Sequence, residues 1–76
     1  MKHLRSARHR RLVDAIVEAR SAAGLSQRAL AEKLKRSGSF VWKLESYEHR
    51  VDVLEFVDIA RACGVDPLEL MRRVLR

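Results

Sequence analysis

The 76-residue sequence predicts an all-α fold, a compact bundle of five short helices. Three observations carry that expectation. Apolar residues recur at spacings of three and four, and no stretch alternates with period two. Residues that start and stop helices punctuate the chain from end to end, with no low-complexity linker and no internal repeat. The 47% apolar content suits one modest core, in a chain short enough to bury only about 60% of its unfolded surface.

The first helix is expected from about Arg8 to Ala23. Leu12, Ile16, Ala19 and Ala23 fall on one face, with Val13 and Val17 beside them. Gly24 should stop it as a left-handed residue, followed by the apolar Leu25. Ser26 then caps a second helix over about Gln27–Leu34, whose core residues are Leu30, Ala31 and Leu34. Lys35 and Arg36 form a tight turn. Ser37 is placed to cap a third helix, about Gly38–Ser46, with Val41 and Leu44 inward and Phe40 at the edge of the core. After a loop at Tyr47–Val51, Asp52 and Glu55 match the pattern of a capping box opening a fourth helix, which ends at Cys63 before Gly64. Asp66-Pro67-Leu68-Glu69 repeats that logic: a cap, a proline at the first helical position and a glutamate at the third. Leu68, Met71 and Leu75 form the expected core stripe of this last helix.

Sixteen basic and ten acidic side chains leave a net charge of +6. The excess is not evenly spread. Residues 1–11 hold Lys2, Arg5, Arg8, Arg10 and Arg11 with His3, His9 and no acid, while residues 46–76 are near neutral with five basic and six acidic groups. Of the remaining cations, all but Arg20 cluster around the second and third helices, as Arg28, Lys33, Lys35, Arg36 and Lys43. Such a footprint fits an anionic partner. Residues 1–8 read as a basic arm, lying along phosphates or free in solvent, ahead of a single domain over residues 9–76. Cys63 is the only cysteine, so no intramolecular disulfide can form, and it reads as a small core side chain. No secretion signal or membrane-spanning run is read, and a cytoplasmic location is expected. The three histidines have no ligand companions at metal spacing, and no catalytic constellation or glycine-rich phosphate loop is visible. Neither an enzyme nor a cofactor, metal or small-molecule ligand is expected.

Residues 25–45 narrow the reading. Leu25-Ser26-Gln27, the pair Leu30-Ala31 and the closing Glu45 stand at the spacing found in the Xre/Cro/cI-type helix-turn-helix family, which this stretch resembles. The likeness continues to Arg76. Lys33-Leu34, Arg36, Ser39-Phe40-Val41, Asp52-Val53 and Glu55-Phe56 are similar to one subset of that family, whereas Ser37, Gly38 and Tyr47 depart from it. The resemblance implies a lambda-repressor-like bundle whose third helix enters the major groove of DNA. It also implies that Gln27 meets a phosphate, that Arg20 in the first helix pairs with Glu45, and that Gly38, Ser39, Trp42 and Lys43 face the bases. Arg28, Lys35, Arg36, Ser37, His49 and Arg50 are then candidate contacts to the DNA backbone.

Several of these positions leave alternatives open. Gly38 offers no side chain, and Ser39 discriminates poorly between bases. Lys43 can meet guanine or a phosphate. Trp42 can pack on a thymine methyl group, fill a gap in the core or anchor a protein partner. Leu70 and Val74, with Leu75, suggest a second apolar surface on the last helix, through which a homodimer would span two half-sites; the alternative is that they complete the core. The leading expectation is a homodimeric, sequence-specific regulator of phage or bacterial type that binds double-stranded DNA and represses by occluding a promoter. The rival is a protein-interaction module on the same fold, with weakened DNA reading.

Overall fold

The computed structural model describes residues 5–76. Their regular structure is five helices: α1 (Ala7–Ala22), α2 (Gln27–Lys33), α3 (Phe40–Glu45), α4 (Val53–Ala62) and α5 (Pro67–Leu75). Residues 1–4 of the expected basic arm lie outside the described residues. Within the rest of that arm, Ser6 caps α1 by accepting from the backbone N–H of His9 at 3.2 Å, and Ala7 and Arg8 are already helical.

Capping chemistry sets the helix starts. Ser26 Oγ accepts from Ala29 N at 3.0 Å. At α4 both halves of the capping box form: Glu55 N donates to Asp52 Oδ1 at 2.7 Å and Asp52 N donates to Glu55 Oε1 at 3.1 Å. Asp66 caps α5 through Leu68 N at 2.9 Å with Pro67 at the first helical position, but Glu69 does not reach back. It pairs instead with Arg72 one turn on, at 3.3 Å. The start of α3 differs from expectation. Ser37 is not its cap; Phe40 N donates to Ser37 O at 3.0 Å, so Ser37–Phe40 forms a turn. Ser39 becomes the capping residue, without a side-chain cap bond.

Four helices end in one way. After α1, α2, α3 and α4 the chain makes paired bonds back into the last turn, as in Leu25 N to Arg20 O with Gly24 N to Ser21 O, and Arg36 N to Ala31 O with Lys35 N to Glu32 O. This Schellman arrangement needs a left-handed residue. Gly24 (φ 72°) and Gly64 (φ 75°) supply it for α1 and α4, while Lys35 (φ 56°) and Tyr47 (φ 64°) supply it for α2 and α3.

The core draws on every helix. Val13, Ile16, Leu30, Val41, Leu44, Ile59 and Leu70 are essentially sealed from solvent, and among the described residues no polar or charged one is buried with them. α1 lies against α5, and α2 against α3. A Cα radius of gyration of 11.3 Å is that of a fully collapsed chain of this length. No helix among the described residues is long and apolar enough to cross a membrane.

Three core assignments need correction. On α1 the buried face is Val13, Ala15, Ile16 and Ala19, with Leu12 only half-buried and Ala23 exposed. Phe40, expected at the edge, is buried. The largest change is on α5. Leu70 is wholly buried, so it is not a dimer contact, and Val74 packs partly against the core. Leu68 and Leu75 are 69% and 71% exposed, with Met71 at 38%. The two stripes (68, 71, 75 and 70, 74) are both compatible with helical periodicity. Which of them faces inward is set by the packing of α5 against α1 and α4.

Candidate nucleic-acid interface

The pair α2–α3 is held by small and apolar contacts where the helices cross. Ala31 and Leu30 have no exposed surface, and Val41 and Leu44 close the pair from the other side. Ala31 has no side-chain bulk to push α3 off its angle. The turn itself is the left-handed Lys35, whose exposed side chain is in no ion pair among the described residues.

An ion-pair network fixes α3 against α1. Arg20 meets Glu45 with two bonds, Nε to Oε2 at 2.6 Å and Nη2 to Oε1 at 3.0 Å, and its Nη1 donates to Leu25 O at 2.9 Å. Both side chains are mostly buried, at 15% and 9% exposure. Arg20 and Glu45 therefore form the expected structural pair. Gln27 joins it, donating Nε2 to Glu45 Oε1 at 2.8 Å. Its amide is thus turned inward and occupied, where the family resemblance implied a phosphate contact.

A second network engages two more of the expected DNA contacts within the fold. Glu55 accepts from Arg36 Nη1 at 3.1 Å and lies 3.0 and 3.2 Å from His49 Nε2, which donates when it carries a proton, since a carboxylate can only accept. The Arg36 guanidinium lies 3.9 Å from the Phe40 ring centre, and the His49 ring packs edge-on against Phe40 at 5.0 Å. Arg36 and His49 are thus engaged in tying the helix-turn-helix to α4. Burial alone would push the Glu55 carboxyl up; the bonds from the Asp52 backbone, His49 and Arg36 outweigh it and hold the carboxyl below its ordinary range. Glu55 was legible in the sequence only as half of a capping box, because its partners stand 6 and 19 residues away.

What remains facing outward is a coherent surface. Ser39, Trp42, Lys43 and Ser46 share one side of α3, at helical spacings of three, four and seven. Ser39 and Lys43 are exposed and Trp42 is 50% exposed, which removes the core-filling role for the indole. Arg28 and Lys35 are likewise exposed and in no ion pair among the described residues, as is Arg50. Ser37 and Gly38 are exposed in the turn before α3, and a Cβ on Gly38 would meet nothing within 4 Å. Tyr47, at the end of α3, has Arg5 over its ring at 5.6 Å and His9 against it at 6.3 Å. Arg5 and His9 are thereby brought beside the end of α3. Arg50 joins Arg8 and Arg11 around an open groove of about 610 Å³ whose apolar wall includes Leu12, Met71 and Val74.

Two helices joined by a left-handed turn, the second braced from behind and bare on its outer face, define a helix-turn-helix protein. The family model for the helix-turn-helix domain matches residues 2–73. A solved structure described as an XRE-family like protein from Pseudomonas syringae pv. tomato str. DC3000 is 46% identical, with a TM-score of 0.87, and the match covers 97% of this chain and 90% of that one. No curated protein matches. The chain belongs to the Xre-type helix-turn-helix family, a class of DNA-binding regulators.

Proposed function

We infer that the chain is a sequence-specific regulator that binds double-stranded DNA as a homodimer and represses transcription by occluding a promoter. The observation that carries this is the outer face of α3, where Ser39, Trp42 and Lys43 stand exposed while Glu45 is held behind them by Arg20. Unpaired cations flank it at Arg28 and Lys35. They suit the two phosphate backbones that border a groove, and phosphate contacts position a protein while base contacts specify the sequence. Dimerisation is assigned to Leu68, Met71 and Leu75, the apolar stripe that the core leaves exposed on α5. A two-fold pair would present two α3 helices to half-sites about one turn of DNA apart.

In vitro selection from random duplexes at near-physiological salt tests the reading. Enrichment of a near-palindromic motif with fixed half-site spacing is the expected result. Retention without a motif would reduce the activity to phosphate binding. No retention would favour the protein-interaction reading, for which the exposed Trp42 and the empty position at Gly38 are the supporting observations.

A further inference from the structure

The outer face of α3 is poor in groups that read bases by hydrogen bonding. Gly38 contributes none, Ser39 is a short hydroxyl and Lys43 is a point charge. Its largest exposed feature is apolar: the indole of Trp42, half exposed on the middle of the face between Ser39 and Ser46. Side chains on a helix lean towards its N-terminus. The residues four and three positions before Trp42 are Gly38, where a Cβ would find open space, and Ser39, both small and exposed. No acid shares the face, because Glu45 is turned back to Arg20 and Gln27.

We propose that Trp42 is a specificity-determining residue that reads the C5-methyl group of a pyrimidine in the major groove, one per half-site. This rests on the DNA-binding reading above. The physical reason is complementarity. Along the base edges of the major groove the distinctive apolar projection is the C5-methyl group, carried by thymine and by 5-methylcytosine, where cytosine has only a C5–H; the other readable groups donate or accept hydrogen bonds. An indole seated on that methyl removes apolar surface from water on both partners, whereas against an unmethylated pyrimidine the same ring covers a gap. A face so short of hydrogen-bonding readers then obtains its discrimination from shape and methyl burial.

The experiment begins with selection from two duplex libraries, one unmodified and one carrying 5-methylcytosine. In the selected duplex each thymine is replaced singly by deoxyuridine, or each 5-methylcytosine by cytosine, which keeps base pairing and removes only the methyl group. For one position per half-site, wild-type affinity should fall about four-fold per methyl, and about fifteen-fold when both are removed, the scale set by burying one methyl group. Trp42→Ala should bind more weakly and equally to both duplexes, and Trp42→Phe should retain part of the discrimination. Circular dichroism checks that the variants keep the fold, as a half-exposed side chain should allow. A motif from the unmodified library assigns thymine; one from the methylated library alone assigns 5-methylcytosine. Discrimination that persists in Trp42→Ala, or affinity indifferent to every methyl, overturns the role of Trp42 and leaves DNA binding standing. Failure to retain any duplex from either library overturns both.

Discussion

Lys35 shows how a single residue can answer to two demands. The turn between α2 and α3 requires a left-handed residue, and Lys35 fills it at φ 56°, at a cost of about 1 kcal/mol relative to a residue without a Cβ. Lys35→Gly should therefore raise stability by about 1 kcal/mol in urea denaturation. If Lys35 meets a phosphate, the same change should reduce the slope of log affinity against log salt by about 0.9. A variant both more stable and as salt-dependent as the parent would remove Lys35 from the interface. Tyr47 occupies the equivalent place after α3, but its ring packs with His9 and Arg5, so Tyr47→Gly should gain less. Arg20 and Glu45 carry the opposite kind of prediction. Glu45→Ala leaves a mostly buried guanidinium and the Gln27 amide without their acceptor, and should cost about 3 kcal/mol. Arg20→Lys should not preserve the pair, since an ammonium cannot make both bonds to the carboxylate while keeping Leu25 O.

At the scale of elements, α4 is joined to the helix-turn-helix through Glu55. Its carboxyl is held below the ordinary carboxylate range in the fold, so the unfolded chain takes up a proton first as pH falls. The stabilisation is complete above the unfolded value near 4.5 and is lost as pH drops through the folded value below it. Urea midpoints recorded from pH 6 to pH 3 should fall, and Glu55→Gln should be less stable at pH 6 and show a shallower acid decline. An unchanged acid limb in the Gln variant would assign the pH dependence to other carboxylates. This network marks where sequence reasoning stopped. The capping box at Asp52 and Glu55 was legible because it is local, within three residues. The bonds from Arg36 and His49 were not, since they join residues on separate elements. The bond from Gln27 was hidden for the same reason: its acceptor, Glu45, lies 18 residues further on.

For the whole molecule, α5 carries a buried residue on which stability depends and the exposed stripe to which we assign dimerisation. Leu70 is sealed in the core, and Leu70→Ala should cost about 2–5 kcal/mol, a large share of the roughly 4–11 kcal/mol that a domain of this length has to lose. Leu68→Glu with Leu75→Glu changes only exposed positions. That double variant should keep its melting temperature when dilute, sediment as a monomer at concentrations where the parent is a dimer, and lose affinity for a two-half-site duplex while keeping its affinity for a single half-site. A parent that is monomeric at all concentrations would remove the dimer from the proposal.

The five helices, the caps at Ser26, Asp52 and Asp66, the two glycine stops and the closing ion pair from Arg20 to Glu45 were legible in the sequence, directly or through the resemblance it carries. Capping and periodicity are local, set by residues within a turn or two, and the chain states them plainly. Two other outcomes belong to the tertiary structure: which stripe of α5 is buried, and which of the basic side chains around α3 remain free. Both depend on helix orientation and on acceptors far away in sequence. A leucine or an arginine looks the same in the sequence whether its partner is solvent, another helix or a buried carboxylate, and only the packed molecule brings that partner within reach.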